Sequence, residues 1–184
     1  MNFYSITSNH VGKDFVFNLK GSFEERRAIN QFLKSPAFTE TDKPDITYFV
    51  SDDVTEAHLK KAKGAPGDSG AVIIASAVKE AIEDTVKDFF EFIPVTIETK
   101  SQSLQRQFFA LKFANVGNIY DRALTQTNKA RHNDYSVTLN GDSLSFHYGI
   151  RDNNYNYFYL LGDDFKTLTK PTGLKLSKRV YHLS

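Results

Sequence analysis

The sequence predicts a single α+β domain with a mixed or antiparallel sheet, three or so amphipathic helices and a β-rich C-terminal half. Short alternating or β-branched runs recur along the chain, and between them lie segments with helix-start residues and an apolar period near 3.6 residues. The 184 residues are enough to bury the core of one domain. We find no internal repeat, so we expect one domain over residues 1–184, with 1–67 and 68–184 as optional sub-halves.

The N-terminal part predicts two strands and a helix. Phe3–Thr7 and Phe15–Leu19 have the composition of strands, and apolar residues alternate in the second. Ser22 and Glu25 form the S-x-x-E pattern of a capping box, in which each side chain satisfies a backbone N–H at the helix start. The helix should end before Pro36. Its predicted apolar side comprises Phe23, Ile29, Phe32 and Leu33.

The next segment predicts a strand, a short helix and a loop. Ile46–Val50 is the strand, and the pair Asp53 and Glu56 marks a second capped helix that runs to about Lys63. Glycine and proline are frequent in G-A-P-G-D-S-G at 64–70, which predicts a loop between two α/β halves.

Ser76 follows a β-branched run and precedes a helical pattern, which allows two interpretations. A catalytic serine at a strand-to-helix elbow needs small residues two positions before and after it, but Ile74 and Val78 stand there. We therefore interpret Ser76 as the N-cap of a helix. The apolar stripe of this helix comprises Val78, Ile82, Val86 and Phe89, and the residues expected to face solvent are Lys79, Glu80, Glu83, Asp84, Lys87 and Asp88.

The C-terminal half predicts strands at Ile93–Glu98, Gln107–Phe113 and Tyr157–Leu161, with a helical or turn segment at Asn118–Leu124. Pro94 has no N–H to donate, so its strand should lie at a sheet edge, or Pro94 at the start of the strand. The contiguous apolar run in Tyr157–Leu161 is typical of a strand that is covered on both faces.

The strongest local signal predicts a β-hairpin over residues 135–146. Asn140-Gly141 fits a two-residue type I′ turn, which requires a positive φ at both positions. In that register Val137 faces Leu144, and apolar residues meet across the pair on one face.

Composition and motifs exclude several kinds of site. The chain has no cysteine, which excludes disulfides and thiolate zinc sites. Its adjacent carboxylates lack a histidine or third acid at ligand spacing, and no glycine-rich phosphate loop is present, so we expect neither a metal nor a cofactor. Such adjacent pairs include Asp52-Asp53, Glu83-Asp84 and Asp163-Asp164. The sequence has no signal peptide pattern and no run of about eighteen apolar residues, so we expect a cytoplasmic protein without a membrane partner.

Charge is distributed unevenly along the chain. Residues 1–99 carry a net charge of −5 and residues 100–184 a net charge of +6. Lys and Arg are dispersed within the second half, and its tyrosines fit core and cross-strand packing, so direct nucleic-acid binding is not expected. Tyr155, in N-N-Y-N-Y at 153–157, could instead lie at a protein interface, where tyrosine is enriched.

Several segments taken together carry a family resemblance. They are G-A-V-I-I-A-S-A-V-K-E-A-I-E at 70–83, F-I-P-V at 92–95, F-F-A-L-K-F-A-N-V-G-N-I-Y-D-R-A-L at 108–124 and F-K-T-L…G-L-K-L-S-K-R-V at 165–180. This arrangement resembles bacterial immunity proteins of polymorphic-toxin systems, in which a strand runs into a serine-started helix and is followed by an F-x-P-V strand and an N-V…D-x-A-L segment. The likeness covers roughly residues 68–180.

The resemblance implies a non-enzymatic cytosolic antidote that binds a cognate protein toxin stoichiometrically. It brings no catalytic residues and no cofactor. Because many toxin active sites that handle nucleic acid are basic, we expect an acidic helix face to contact the toxin. The candidate contact residues are Glu80, Glu83, Asp84 and Asp88, with Glu91 beyond them, and Tyr155.

Two other functions remain open from the sequence. A hydrolase could assemble its site from dispersed residues such as His132, Asp134 and His147, which sequence spacing does not reveal. A small-ligand-binding module could enclose a β-rich pocket lined by tyrosines.

Overall fold

The fold is α+β, as predicted, with two large and mostly antiparallel sheets and helices packed against them. The computed structural model describes residues 2–8, 15–68, 70–100, 103–126, 137–141, 144, 146–155, 158–179 and 181–183. One sheet has six strands, the other has five, and Thr138–Leu139 and His182–Leu183 form a separate pair.

The elements are as follows in chain order. The strands are β1 (Phe3–Ile6), β2 (Asn18–Leu19), β3 (Thr47–Phe49), β4 (Gly64–Pro66), β5 (Val72–Ala75), β6 (Phe90–Glu98), β7 (Ser103–Phe113), β8 (Val116–Gly117), β9 (Thr138–Leu139), β10 (Gly149–Asp152), β11 (Tyr159–Leu161), β12 (Leu176–Arg179) and β13 (His182–Leu183). The helices are α1 (Phe23–Lys34), α2 (Glu56–Lys61), α3 (Ser76–Val86), α4 (122–126) and α5 (Asp163–Thr169), and a 3₁₀ turn at Lys170–Thr172 follows α5. The six-stranded sheet has the strand order β2-β3-β6-β7-β5-β4, the five-stranded sheet has the order β12-β1-β11-β10-β8, and β9 pairs with β13. Strands from both sides of residue 67 therefore share each large sheet.

Apolar clusters on successive faces show how the layers pack. One face of the six-stranded sheet packs on α1 and α2, with Phe32 and Leu59 against strand residues such as Ile93. Its other face packs on α3 and shares a cluster with β1, β11 and α5. The far face of the five-stranded sheet holds a third cluster, around Leu160. Helix α3 thus buries one side in the middle layer and leaves its outer side accessible.

The first predicted helix is confirmed, including its capping box. Ser22 Oγ accepts the Glu25 N–H at 3.2 Å, and Glu25 Oε2 accepts the Ser22 N–H at 2.7 Å. Ile29 is buried as expected, but Phe23 is 73% exposed and was wrongly placed on the apolar side. Phe23 precedes Ile29 by six residues, which rotates it by about 120° around the helix axis.

The helix start predicted at Asp53 is wrong. Helix α2 begins at Glu56, and its N-cap is Thr55. The Thr55 hydroxyl accepts the His58 N–H at 3.4 Å, and His58 Nδ1 accepts the Thr55 N–H at 3.0 Å. Histidine replaces the usual glutamate of the capping box, so a search for S/T-x-x-E does not find it.

The loop predicted at 64–70 is partly a strand. Gly64–Pro66 form β4, an edge strand that pairs with β5. A Cβ on Gly64 would lie 2.7 Å from the carbonyl oxygen of Ile73, so glycine permits this close approach of the two strands. Pro66 is tolerated because an edge strand can dispense with an N–H donor.

The prediction that Ser76 caps α3 is also wrong. Ser76 is the first helical residue, the N-cap is Ala75, and no side chain accepts a hydrogen bond there. Ala75 pairs with Phe108 in the sheet, which fixes the extended backbone that an N-cap requires. Val78 and Ile82 are buried, so the predicted apolar stripe is confirmed.

Pro94 lies in a strand that is not at the sheet edge, contrary to the prediction. Strand β6 lies between β3 and β7, but β3 pairs only with Thr96–Glu98. Among the described residues, Pro94 is therefore paired on the β7 side alone, opposite Phe109. Proline cannot donate an N–H to a neighbouring strand. Pro94 is tolerated because β3 does not pair with it, although the strand as a whole is not at a sheet edge.

The described part of residues 135–146 does not form the predicted hairpin. Neither Asn140 nor Gly141 has a positive φ, which a type I′ turn needs. Thr138–Leu139 pair in parallel with His182–Leu183 instead. Tyr135 and part of the second predicted strand lie outside the described residues.

The remaining strand predictions are confirmed with shifted ends. β1 and β3 are each shorter than predicted, and β6 and β7 are longer. In the segment predicted at Phe15–Leu19, only Asn18–Leu19 pair as a strand, although Phe17 and Leu19 are buried as expected. Tyr159–Leu161 are buried throughout, in agreement with a strand covered on both faces.

Candidate protein-binding surface

Four of the five carboxylates expected to contact a partner lie along the outer side of α3 and the turn after it. Glu80, Asp84 and Asp88 are exposed. Glu83 is half-exposed and forms an ion pair with Lys79 one helical turn earlier. We call Glu80, Glu83, Asp84 and Asp88 the acidic face. Lys79 and Lys87 lie on the same side of the helix, and against four carboxylates they leave this side with a net negative charge.

Glu91 does not belong to this exposed face. It is 7% exposed, its Oε1 lies 2.6 Å from Lys43 Nζ, and its Oε2 accepts the Phe38 N–H at 2.9 Å. Burial alone would raise the pKa of Glu91, but hydrogen bonds from Lys43 and Phe38, with the charges of Lys43 and Lys112, hold the pKa below its ordinary value of 4.5. Glu91 is therefore ionised at neutral pH, and it holds the loop that carries Phe38 by accepting the Phe38 N–H.

Phe38 is held in a left-handed backbone conformation. Its φ is 65°, and no other non-glycine residue in the described part of the chain has a positive φ. For a bulky residue such strain costs about 1–3 kcal/mol, so the surrounding contacts must fix it. Ala37 N–H donates to Phe113 O at 2.8 Å, and Glu40 lies 3.5 Å from the buried Lys112. The Phe38 side chain is nevertheless 56% exposed.

A groove of about 310 Å³ opens between α3 and the start of β6, beside Phe38. It is lined by Phe38, Glu83, Asp84, Lys87, Phe90, Glu91 and Phe92. Aromatic rings, three carboxylates and the ammonium group of Lys87 therefore meet in one concave site, and Asp84 is the lining carboxylate that forms no ion pair with a described residue. Such a site suits a lysine or arginine side chain, whose aliphatic stem packs on rings and whose charged end pairs with carboxylates.

Tyr155 lies on a second surface, after the end of β10. Its ring packs edge-on against Tyr120 with centroids 4.7 Å apart, and the guanidinium carbon of Arg122 lies 5.9 Å from its centroid. Asn154 Nδ2 donates to Asn118 Oδ1 at 3.0 Å. We call these five residues the tyrosine surface. Two segments distant in sequence thus form one surface of aromatic, amide and cationic groups.

The tyrosine surface is fixed by one buried carboxylate. Asp152 is fully buried, and each of its two oxygens accepts two backbone N–H groups at 2.8–2.9 Å. The donors are Ile119, Tyr120, Asn154 and Tyr155. Because the donors belong to both segments, Asp152 holds them together and orients Tyr120 and Tyr155.

The structure tests only part of the alternative catalytic site. His147 is exposed, and its Nδ1 lies 3.7 Å from Asp164 Oδ2. His132 and Asp134 lie outside the described residues, so a site assembled from them stays a prediction. Within the described ranges, no cluster of three or more His, Asp or Glu side chains is arranged to hold a metal ion. No helix in that part of the chain has the length and hydropathy needed to cross a membrane.

Sequence reasoning identified the acidic residues but missed Phe38 and Asp152. The stretch S-P-A-F-T-E at 35–40 contains no glycine or asparagine that would indicate a left-handed backbone. Asp152 did leave a signal, because Asp-Asn-Asn is typical of a turn whose carboxylate accepts nearby backbone N–H groups.

Comparisons with known proteins name no family for this chain. No family model matches the sequence, and no curated protein is significantly similar to it. A functional proposal therefore rests on the residues and geometry described above.

Proposed function

We propose that this protein is a non-enzymatic cytoplasmic binding protein that neutralises a cognate bacterial protein toxin by tight stoichiometric association. The resemblance of residues 68–180 to immunity proteins supports this proposal. The observation that carries it is Phe38, an exposed aromatic residue with a strained backbone beside an acidic groove. Strained residues concentrate at functional sites, and aromatic residues dominate the binding energy of protein interfaces.

The acidic face and Phe38 have different parts in this proposal. The exposed carboxylates Glu80, Asp84 and Asp88 attract a basic partner and raise the association rate. Phe38 then buries its ring in the partner, and the neighbouring groove accepts a basic side chain. An interface of about 1,600 Å² in total is ordinary for such a complex. The toxin is inhibited because its active site is covered or held inactive.

Co-purification with the product of the neighbouring gene tests this proposal. The expected result is a stable 1:1 complex that abolishes the toxin's activity. Reversal of three charges, in the variant Glu80→Lys/Asp84→Lys/Asp88→Lys, is expected to slow association about 10-fold at low salt and to weaken its salt dependence. Stopped-flow kinetics at several salt concentrations measure both effects.

A matched variant separates the acidic face from net charge. Glu24→Lys/Asp45→Lys/Asp52→Lys changes the net charge equally at exposed carboxylates away from α3. This control is expected to have a smaller effect on the association rate. Equal rates for the two variants would contradict a specific role of the acidic face.

A further inference from the structure

We infer that the partner is also held at the tyrosine surface, where one of its carboxylate side chains pairs with Arg122 beside Tyr155. This inference rests on the proposed function and adds a second, chemically different contact to it. The acidic face selects for positive charge alone, which many proteins offer. A preorganised surface that requires a carboxylate would supply the missing specificity.

The tyrosine surface is already ordered in the absence of a partner. Asp152 fixes the backbone of Tyr120 and of Tyr155 by accepting their N–H groups. The ring of Tyr120 packs on Phe158 with centroids 5.4 Å apart, and Phe158 packs on Tyr181 with centroids 5.7 Å apart. Tyrosine has few rotatable bonds, so a fixed tyrosine pair loses little entropy on binding. The surface therefore has the rigidity that is typical of an interface anchor.

The charge at this surface specifies a carboxylate. Arg122 is exposed, and none of the described acidic side chains forms an ion pair with it. The adjacent Asp121 accepts the Leu124 N–H at 2.8 Å through Oδ1. The guanidinium presents a planar fork of N–H donors that matches a carboxylate, and its contact with the Tyr155 ring restricts its orientation.

A protein partner fits this surface better than a single-stranded nucleic acid. Base recognition requires aromatic faces that are free for stacking. Here Tyr120 already stacks on Phe158, and Arg122 lies over the Tyr155 ring. The surface instead offers hydrogen-bonding groups, from Arg122, Asn154 and the tyrosine hydroxyls, around aromatic rings that already have packing partners. Such a combination is typical of protein interfaces.

The two surfaces are close enough for one partner to reach both. Phe89 directly follows Asp88 of the acidic face, and the centroid of its ring lies 4.9 Å from the centroid of the Tyr148 ring. Tyr148 directly precedes β10, and four extended residues at about 3.3 Å each span about 13 Å to Asp152. An ordinary interface covers about 800 Å² of each partner, which corresponds to a patch about 30 Å wide.

The affinity of the neighbouring-gene product for three single variants tests the inference. Arg122→Glu is expected to lower the affinity about 100-fold, and Tyr155→Ala about 10-fold. Arg27→Glu, at an exposed arginine of α1, is the matched control and is expected to bind as the wild type does. In the partner, replacing the Asp or Glu that pairs with Arg122 by Arg is expected to restore binding to Arg122→Glu, because the ion pair is formed with its charges exchanged. The same partner variant is not expected to restore binding to the triple variant of the acidic face.

Each outcome has a separate meaning. Equal affinities for Arg122→Glu and Arg27→Glu would overturn the inference and leave the proposed function standing. No binding by the wild type would overturn both. Binding of a fluorescent twenty-nucleotide dT strand that Arg122→Glu abolishes would also overturn the inference, because it would assign the surface to nucleic acid. Circular dichroism and thermal melting verify that every variant is folded.

Discussion

Glu91 and Asp152 are both buried carboxylates, and each fixes a loop that presents an aromatic side chain. Glu91 is balanced by the ammonium of Lys43 and accepts one backbone N–H, from Phe38. Asp152 accepts four backbone N–H groups, and no described lysine or arginine forms an ion pair with it. One loop is therefore held largely by charge, and the other by backbone hydrogen bonds. This difference predicts how each loop responds to mutation, pH and salt.

The largest expected effect is at Asp152. Asp152→Ala removes the acceptor of four N–H groups, and a buried donor without an acceptor costs about 1–3 kcal/mol. Since some of these donors can reach water after the substitution, we expect the free energy of unfolding to fall by about 4 kcal/mol in urea denaturation. Asp152→Asn keeps one acceptor oxygen and is expected to lose about half as much. A loss below about 1 kcal/mol for Asp152→Ala would contradict the role assigned to this carboxylate.

A smaller effect is expected at Glu91. Glu91→Gln removes the charge that faces Lys43 and the buried Lys112, and we expect a loss of about 2 kcal/mol at pH 7. Glu98→Gln is the matched control, because Glu98 lies on the same strand and its ion pair with Lys20 is also 2.6 Å long but half-exposed. An exposed pair is worth less than about 1 kcal/mol. If urea denaturation gave equal losses of unfolding free energy for Glu91→Gln and Glu98→Gln, the claim that burial strengthens the Glu91 ion pair would be contradicted.

The Glu91 contribution is expected to depend on pH. Folding lowers the pKa of Glu91 from 4.5, so the unfolded chain takes up a proton at a higher pH than the folded protein does. The stabilisation is therefore complete above pH 4.5 and is lost as the pH falls below that value. We expect the difference in unfolding free energy between wild type and Glu91→Gln to shrink between pH 5 and pH 3. A constant difference over this range would contradict the ionised state assigned to Glu91.

The smallest effects are expected at two helix starts, where one serine is a hydrogen-bond acceptor and the other is not. Ser22 accepts the Glu25 N–H, whereas no side chain caps α3 at Ser76. Ser22→Ala should cost about 1 kcal/mol of unfolding free energy, and Ser76→Ala less than about 0.5 kcal/mol. Thermal melts of both variants measure the difference. A larger loss for Ser76→Ala than for Ser22→Ala would reverse the assignment of the caps.

Local features of the fold followed from the sequence, and features set by distant partners did not. The capping box of Ser22 depends on residues within one helical turn and was correctly predicted. Ser76 was misjudged because Ala75 is fixed by pairing with Phe108, far along the chain. The hairpin at Asn140 failed for the same reason, since β9 pairs with β13 near the C-terminus.

The candidate site divides in the same way. The acidic face could be predicted because helical periodicity alone places Glu80, Asp84 and Asp88 outside. The position of Phe38 could not be predicted, since its backbone is fixed by Glu91 and Phe113 on two distant strands. The burial of Glu91 depends on the same loop, which covers it from outside its own strand.

The most direct test of the binding proposal is the affinity of Phe38→Gly for the neighbouring-gene product, measured by isothermal titration calorimetry together with thermal stability. Glycine adopts a φ of 65° without strain, so we expect this variant to gain about 1 kcal/mol of unfolding free energy and to bind at least about 10-fold more weakly. The control Phe23→Gly, at a phenylalanine that is 73% exposed on α1, should lose stability and bind normally. Wild-type affinity in Phe38→Gly would contradict the proposal that this residue is kept strained for binding.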